Sequence, residues 1–388
     1  MKEIAVLCFE NPFSKPADGA KNDMKTRILA LAHSAKYVVD VYVFNKPEEK
    51  SGEVAAGAYG IRHFYQYPVQ SFGFKGLFSG LPISVYKRFT QACAEELGRH
   101  SYDAVIYEGE HMSSYRLRGV TKAKQHILRQ HDIESNYRWE LSKSASSLGY
   151  KCGQIFEALL YKKLEKRVDR YFDVALFISK EEKEEFDQKY PGTSCNFVFM
   201  PPATLQFAPK LASGQRKNEI LYFGNMELQN NVLSILWFVR EVFPRIAKRN
   251  PEARLKIIGK VSEENKTKLL ENTKNIEVLG YVDDLAEEID RAAMIASPVL
   301  FGAGVKVKVI DALSYGQIVC ATRKTIEGTE LVPGRHLIVE DDPEKLAAEC
   351  VRVLKDRGAY AQMAFEGWNY VKKYHSIEYQ ASVLDSVL

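Results

Sequence analysis

Short apolar runs separated by amphipathic stretches set the plan of this chain. Ile4–Phe9, IAVLCF, is a continuous apolar run of the kind that a parallel strand buried on both faces requires. ENPFSKPADGAKNDM, rich in Pro, Asn, Asp and Gly, then reads as a loop, Lys25–Lys36 as a helix and Val38–Phe44 as a second strand. DAVIYEGE predicts a third strand with Glu108, Glu110 and His111 at its carboxyl end, and HILRQHDIES a strand that ends on His131, Asp132, Glu134 and Ser135. Ile155–Tyr171 carries a helical apolar stripe opposite Lys162, Lys163, Lys166, Arg167 and Arg170; VALFIS and EEKEEFDQKY follow as strand and helix.

A composition break comes next. PPATLQFAPKLASGQRKN, Pro201 to Asn218, has three prolines and no sustained periodicity, so it reads as a linker. After it the alternation restarts: strand EILYFG, helix Asn231–Arg249, strand ARLKIIG, helix Ser262–Asn272, strand IEVLG, helix Leu285–Ala293 and strand MIASPV. The stretch Leu300–Thr322 supplies a loop, a short helix and an apolar run; HLIVE and the helices Pro343–Lys355 and Tyr360–Tyr374 complete the series. Strands spaced by single helices call for parallel sheets covered on both faces. The expected fold class is therefore α/β, with two Rossmann-like, doubly wound parallel-sheet domains facing a cleft. Its divisions are 1–203, a linker at 204–218, a second domain at 219–370 and a tail at 371–388 that crosses back to the first domain.

Composition narrows the function. A chain of 388 residues exceeds what one core usually supports. Its net charge is +4, from 54 basic against 50 acidic residues, and the basic residues are spread along the sequence without the dense stripe of a nucleic-acid binder. Six separated cysteines form no CxxC pair, which argues against a zinc site or a disulfide framework. The first apolar run is too short for a signal peptide, and no run reaches the length of a membrane span, so a cytoplasmic location is expected. Ser71–Arg88 departs from the pattern: aromatic and apolar residues, among them Phe74, Leu77 and Phe78, alternate with glycines and have basic edges. Such a segment suits a packed loop, closure over an apolar acceptor, or peripheral contact with the inner membrane surface.

Candidate chemistry gathers at the predicted strand ends. In LFGAGVKVKVIDALSYGQIVCAT, Gly302 and Gly304 permit a tight turn close to a ligand. Lys306 and Lys308 stand where the next helix presents free N–H groups and a positive dipole end, a conflict that an anion would relieve; the other reading is an ordinary βα turn with solvated lysines. Gly19 places backbone near the carboxyl end of the first strand, either at a ligand or in a surface loop. His131, beside Asp132 and Glu134, suits either a site histidine or a hydrogen-bonded structural one.

Taken in order, GNMELQNNVLSILWFVREVFP, LKIIGK, SPVLFGAGVKVKVIDALSYGQIVCATRKTIEGTEL and GRHLIVEDDPEKLA resemble the carboxyl-terminal half of retaining GT-B glycosyltransferases. The family is the large, family 4-like one that elongates bacterial capsules, exopolysaccharides and lipopolysaccharides. PADGAKNDMKTR and HDIESNYRWEL agree more loosely. The resemblance implies a nucleotide-sugar donor and a glycan or polyprenyl-linked acceptor, with neither a cofactor nor a metal, a point that the lack of a DxD triplet fits. It implies that Gly224 and Asn225 approach the donor diphosphate while Lys308, the amides around Gly304 and Lys306 neutralise it. His131 matches a histidine that positions the donor sugar near the reacting carbon, and His131 and Lys308 are the expected catalytic pair.

The two glutamates usual in this family correspond here to Ala303 and Asp311. Asp311 can still accept from ribose, and Glu327 is the candidate replacement contact for the sugar. The family's arginine and lysine after the first strand are missing, Asn225 standing at the arginine position. These departures leave room for two further readings, a non-catalytic sugar-nucleotide-binding scaffold and a GT-B epimerase or hydrolase.

Overall fold

The computed structural model describes every residue except 15–18, 46–56, 74–75, 77, 144–146, 206–217, 272–273, 283 and 303. Ala303, Phe74, Leu77 and most of the 204–218 linker therefore lie outside the described residues. The chain forms two compact units, Met1–Ala203 together with Ile377–Leu388, and Thr204–Ser376.

The first unit is built on β1 (Lys2–Cys8), β2 (Tyr37–Asn45), β3 (His63–Pro68), β4 (Ser101–Glu108), β5 (Lys122–Gln130), β6 (Val174–Phe177) and β7 (Asn196–Phe199). They form one parallel sheet in the order β3-β2-β1-β4-β5-β6-β7. The two strands without a sequence signal, β3 and β7, are its edges. An edge strand is covered less completely, so HFYQYP and NFVF are largely half-buried and need no continuous apolar run. At the centre, Ile4, Val6, Val105 and Ile127 are fully buried.

The second unit holds β8 (Glu219–Phe223), β9 (Arg254–Ile258), β10 (Ile276–Gly280), β11 (Met294–Ser297), β12 (Val319–Ala321) and β13 (Ile338–Val339), parallel in the order β10-β9-β8-β11-β12-β13. Successive residues of β8 feed two cores, Ile220 and Tyr222 one face, Leu221 and Phe223 the other. This two-sided burial is why EILYF reads as an unbroken apolar run.

Three helices differ from expectation. The first spans Gly19–Ala32, so GAKNDM is helical rather than loop, and Gly19 opens the helix. Lys21, Asp23 and Arg27 on it are buried, and ion pairs with distant residues offset a burial that local pattern disfavours. The expected single helix Asn231–Arg249 is Gln229–Trp237, a π turn at Phe238–Val242, and Phe243–Arg249. Pro244, lacking an N–H, breaks the regular ladder there.

The expected stripe on Ile155–Tyr171 is also misplaced. The helix runs Leu148–Glu165 and buries Glu157, Ala158, Tyr161 and Glu165, while Phe156 and Leu159 are 53% and 59% exposed. Glu157 accepts from the Ile83 amide and Glu165 from Ser135, so hydrogen bonding rather than hydrophobicity selects the inner face.

Candidate active site

In both sheets the connections diverge beside the first strand, between β1 and β4 and between β8 and β11. Open α/β sheets form their binding crevices at the carboxyl ends of such strands. In the second unit this point is flanked by Gly224 and Asn225 after β8 and by the loop from β11 to the helix Val307–Ser314. The Gly224 amide donates to the Ile258 carbonyl at 2.9 Å. Gly259, at φ +135°, packs so tightly here that an added Cβ would stand 1.9 Å from the Gly224 carbonyl oxygen. Glycine at 259 thus holds the Gly224–Asn225 turn in place.

Lys308 is half-buried on the first turn of its helix. Its ammonium donates to Asn231 Oδ1 at 3.2 Å and lies 5.0 Å from the centre of the Tyr222 ring. Burial first, and then the Lys306 charge, pull its pKa down to about 8. Lys306 turns back on its own loop and donates to the carbonyls of Gly302 (3.2 Å) and Gly304 (2.5 Å). Both glycines have positive φ, +112° and +74°, which this reversal requires.

Asp311, one turn further on, is also half-buried; burial pushes its carboxyl up to about 6 against the lowering effect of a hydrogen bond from Thr204. Glu327 follows a 3-10 turn, is exposed, and pairs with Lys324 at 2.5 Å rather than with the Gly302–Lys308 loop.

In the first unit His131 follows β5. Its Nε2 lies 3.1 Å from Glu108 Oε2 and its Nδ1 3.7 Å from Asp23 Oδ2, with the Phe9 ring edge-on at 5.5 Å. These carboxylates belong to a buried ionic cluster. Arg27 donates to both oxygens of Glu108, each at 2.6 Å, and to Asp23 at 2.8 Å; Arg129 donates to Asp23 at 3.1 and 3.2 Å. Burial alone would raise the Asp23 carboxyl, but Arg129 and Arg27 hold it well below the usual range, and burial draws Arg129 down to about 10.

Ligand atoms of Asp23, Glu108 and His131 lie within 4.8 Å of one another, a spacing that could hold a metal ion. Two guanidinium groups already neutralise the carboxylates, so the site is a poor fit for a further cation. With a carboxylate beside each ring nitrogen, His131 is held in a fixed orientation. A neighbouring network joins His111 to Glu134 (3.2 Å), the Tyr161 hydroxyl (2.9 Å) and Ser84 (3.1 Å).

Sequence reasoning missed Asn231, Tyr222, Asp23, Arg27 and Arg129. Asp23 and Arg27 stand at i and i+4 within PADGAKNDMKTR, the one local signal that could have shown them as a pair. Asn231 lies within GNMELQNNV, close to Gly224, but nothing in the sequence indicates its bond to Lys308.

Residues 217–356, which contain the Gly302–Lys308 loop, match the family described as glycosyl transferases group 1. The chain is 28% identical over 389 residues to an uncharacterized 44.6 kDa protein in the cps region of Klebsiella pneumoniae, with 96% of each chain covered. Among solved structures, it is similar to sucrose-phosphate synthase from Thermosynechococcus elongatus, with a TM-score of 0.71 at 16% identity, covering 100% of this chain and 98% of that one. It is also similar to Anabaena HepE in complex with UDP and glucose, with a TM-score of 0.66 at 13% identity and coverage of 100% and 99%. The fold is that of GT-B glycosyltransferases, two parallel-sheet α/β domains with seven and six strands.

Proposed function

We propose that the protein is a retaining, metal-independent glycosyltransferase that moves a sugar from a nucleotide-sugar donor to a glycan or lipid-linked acceptor in bacterial surface-polysaccharide synthesis. The observation that carries this reading is the half-buried Lys308 ammonium beside the Gly224–Asn225 turn, with a pKa lowered to about 8. Holding a cation there costs free energy in the empty protein, and a bound diphosphate offsets that cost. The group 1 match and the relative from a cps region favour the same substrate class.

In the reaction, the bond between the sugar's anomeric carbon and the diphosphate oxygen breaks and a bond to the acceptor oxygen forms on the same face. The acceptor's proton passes to the departing phosphate oxygen. Negative charge grows on the diphosphate, where Lys308 and the loop amides stabilise it. Asp311 accepts from ribose, Gly19 lets the first unit's backbone approach the donor, and His131, braced by Glu108 and Asp23, positions the donor sugar.

Nucleotide screening by thermal shift, followed by turnover assays, tests the proposal. Lys308→Ala should lower turnover about 10²-fold or more at an unchanged melting temperature. Near-normal turnover would remove Lys308 from catalysis. Diphosphate binding without turnover on any acceptor would point to a scaffold, and donor conversion without acceptor to an epimerase or hydrolase.

The proposed setting is the cytoplasmic face of the membrane. No helix among the described residues is long and apolar enough to cross a membrane. The helix Leu148–Glu165 nevertheless exposes Leu148 (78%), Tyr150, Phe156 and Leu159, and it also carries the exposed Lys151, Lys162 and Lys163. Exposed apolar residues combined with lysines suit an anionic lipid surface. Co-sedimentation with anionic liposomes should fall sharply in a Phe156→Ser, Leu159→Ser variant; equal sedimentation of both proteins would rule this helix out.

A further inference from the structure

Asn231 occupies the first turn of the helix Gln229–Trp237, and its carboxamide joins two parts of the candidate site. Nδ2 donates to the Asn225 carbonyl at 2.9 Å, and Oδ1 accepts from Lys308 at 3.2 Å. Its own backbone carbonyl accepts from the Tyr222 hydroxyl at 3.4 Å, and the Tyr222 ring lies 5.0 Å from the same ammonium. The two partners dictate which way the amide faces. An ammonium can only donate and a carbonyl can only accept, so a flipped carboxamide would set donor against donor and acceptor against acceptor.

We propose that Asn231 is a positioning residue for the donor diphosphate: it aims Lys308 at the turn after β8 and, being neutral, leaves the lysine's charge uncancelled for phosphate. The proposal rests on Lys308 being the diphosphate contact. A carboxylate at 231 could hold the ammonium equally well, but it would neutralise the charge and repel the ligand. An apolar residue would leave the charge in place and the ammonium unaimed. Lys308 faces the Asn231 oxygen and the Tyr222 ring, and the charge acting on it is that of Lys306. Among the described residues Asn231 Oδ1 is the acceptor that Lys308 holds, and changing it should alter how readily the amine loses its proton.

The test uses the full chain with Asn231→Asp, Asn231→Leu and Lys308→Ala. In the unliganded proteins, pH-dependent acetylation of Lys308 by acetic anhydride, read by mass spectrometry, reports the titration of that amine. In parallel, calorimetry measures the affinities of UDP, GDP and ADP. Asn231→Asp should move the Lys308 midpoint up and Asn231→Leu should move it down. Each should weaken the bound diphosphate about tenfold or more at neutral pH. A purely structural role would change melting temperature and leave the Lys308 midpoint where it is. Identical midpoints in wild type and both variants would overturn the proposal. If the midpoints move as expected but Lys308→Ala binds diphosphate normally, or if the wild type binds none of the three, Lys308 is not the diphosphate contact and the proposal falls with that reading.

Discussion

Lys308 and Asp311 share one short helix, and both titrate close to neutrality, which makes the pH dependence of donor binding a direct test of their roles. In the proposed role Lys308 must be charged to hold phosphate, and its pKa of about 8 means that the charge is lost as pH rises through that value. Asp311, raised to about 6, becomes a stronger acceptor for ribose as pH rises through its own value. Affinity for a nucleotide sugar, whose diester phosphates do not titrate in this range, should therefore peak between the two. Calorimetric titration across pH should show the alkaline fall disappear in Lys308→Met and the acid fall disappear in Asp311→Asn. A limb that persists in its variant belongs to another group. Lys308 and Asp311 were legible in the sequence because both lie within one motif. Asn231, 77 residues from Lys308, and Glu108, 81 from Arg27, were not, because only the fold brings these partners together.

At the level of elements, the close approach of Gly259 to the end of β8 determines where the turn carrying Gly224 and Asn225 stands. Gly259→Ala would add a methyl group 1.9 Å from a backbone oxygen, at a positive φ that side chains resist. Relieving the clash moves backbone rather than a flexible side-chain end. The variant should lose about 3 kcal/mol in denaturant unfolding and should bind nucleotide more weakly. Gly153→Ala is the matched control, since its Cβ meets nothing within 4 Å in the middle of the helix Leu148–Glu165. It should be neutral or gain about 0.5–1 kcal/mol. Equal losses in the two variants would mean that the Gly259 contact has no special weight. This helix also shows where period reading fails. Its apolar residues were identified, but the buried carboxylates of Glu157 and Glu165 turn Phe156 and Leu159 outward.

For the molecule as a whole, the end of the sequence helps to build the first unit. The helix Ile377–Val387 packs on Gly19–Ala32, burying Leu384 completely. Its Gln380 donates to Asp23 Oδ1 at 3.3 Å and to the Pro201 carbonyl at 3.1 Å, so it touches the ionic cluster that braces His131. Leu384→Ala should destabilise the first unit by about 3 kcal/mol, the usual cost of a buried leucine cavity, without changing the Lys308 titration. Thermal unfolding and the acetylation profile measure the two effects separately. An unchanged melting temperature would show that this helix contributes little to the core.

Taken alone, the sequence determined the elements whose signal is local. These are the central strands, buried on both faces and therefore continuously apolar, and the loop at Gly302–Lys308, where positive φ and adjacent lysines leave a compositional mark. Tertiary structure decided what depends on partners distant in sequence: β3 and β7, which hold their places as sheet edges; the helix start at Gly19; and the outward face of Leu148–Glu165. It also decided two polar clusters, one in each unit: Asn231 with Lys308, and Arg27 with Glu108, Asp23 and His131. The reason is physical: backbone preference and apolar burial act over a few neighbouring residues, whereas a buried charge is tolerable only beside a partner that folding must bring to it.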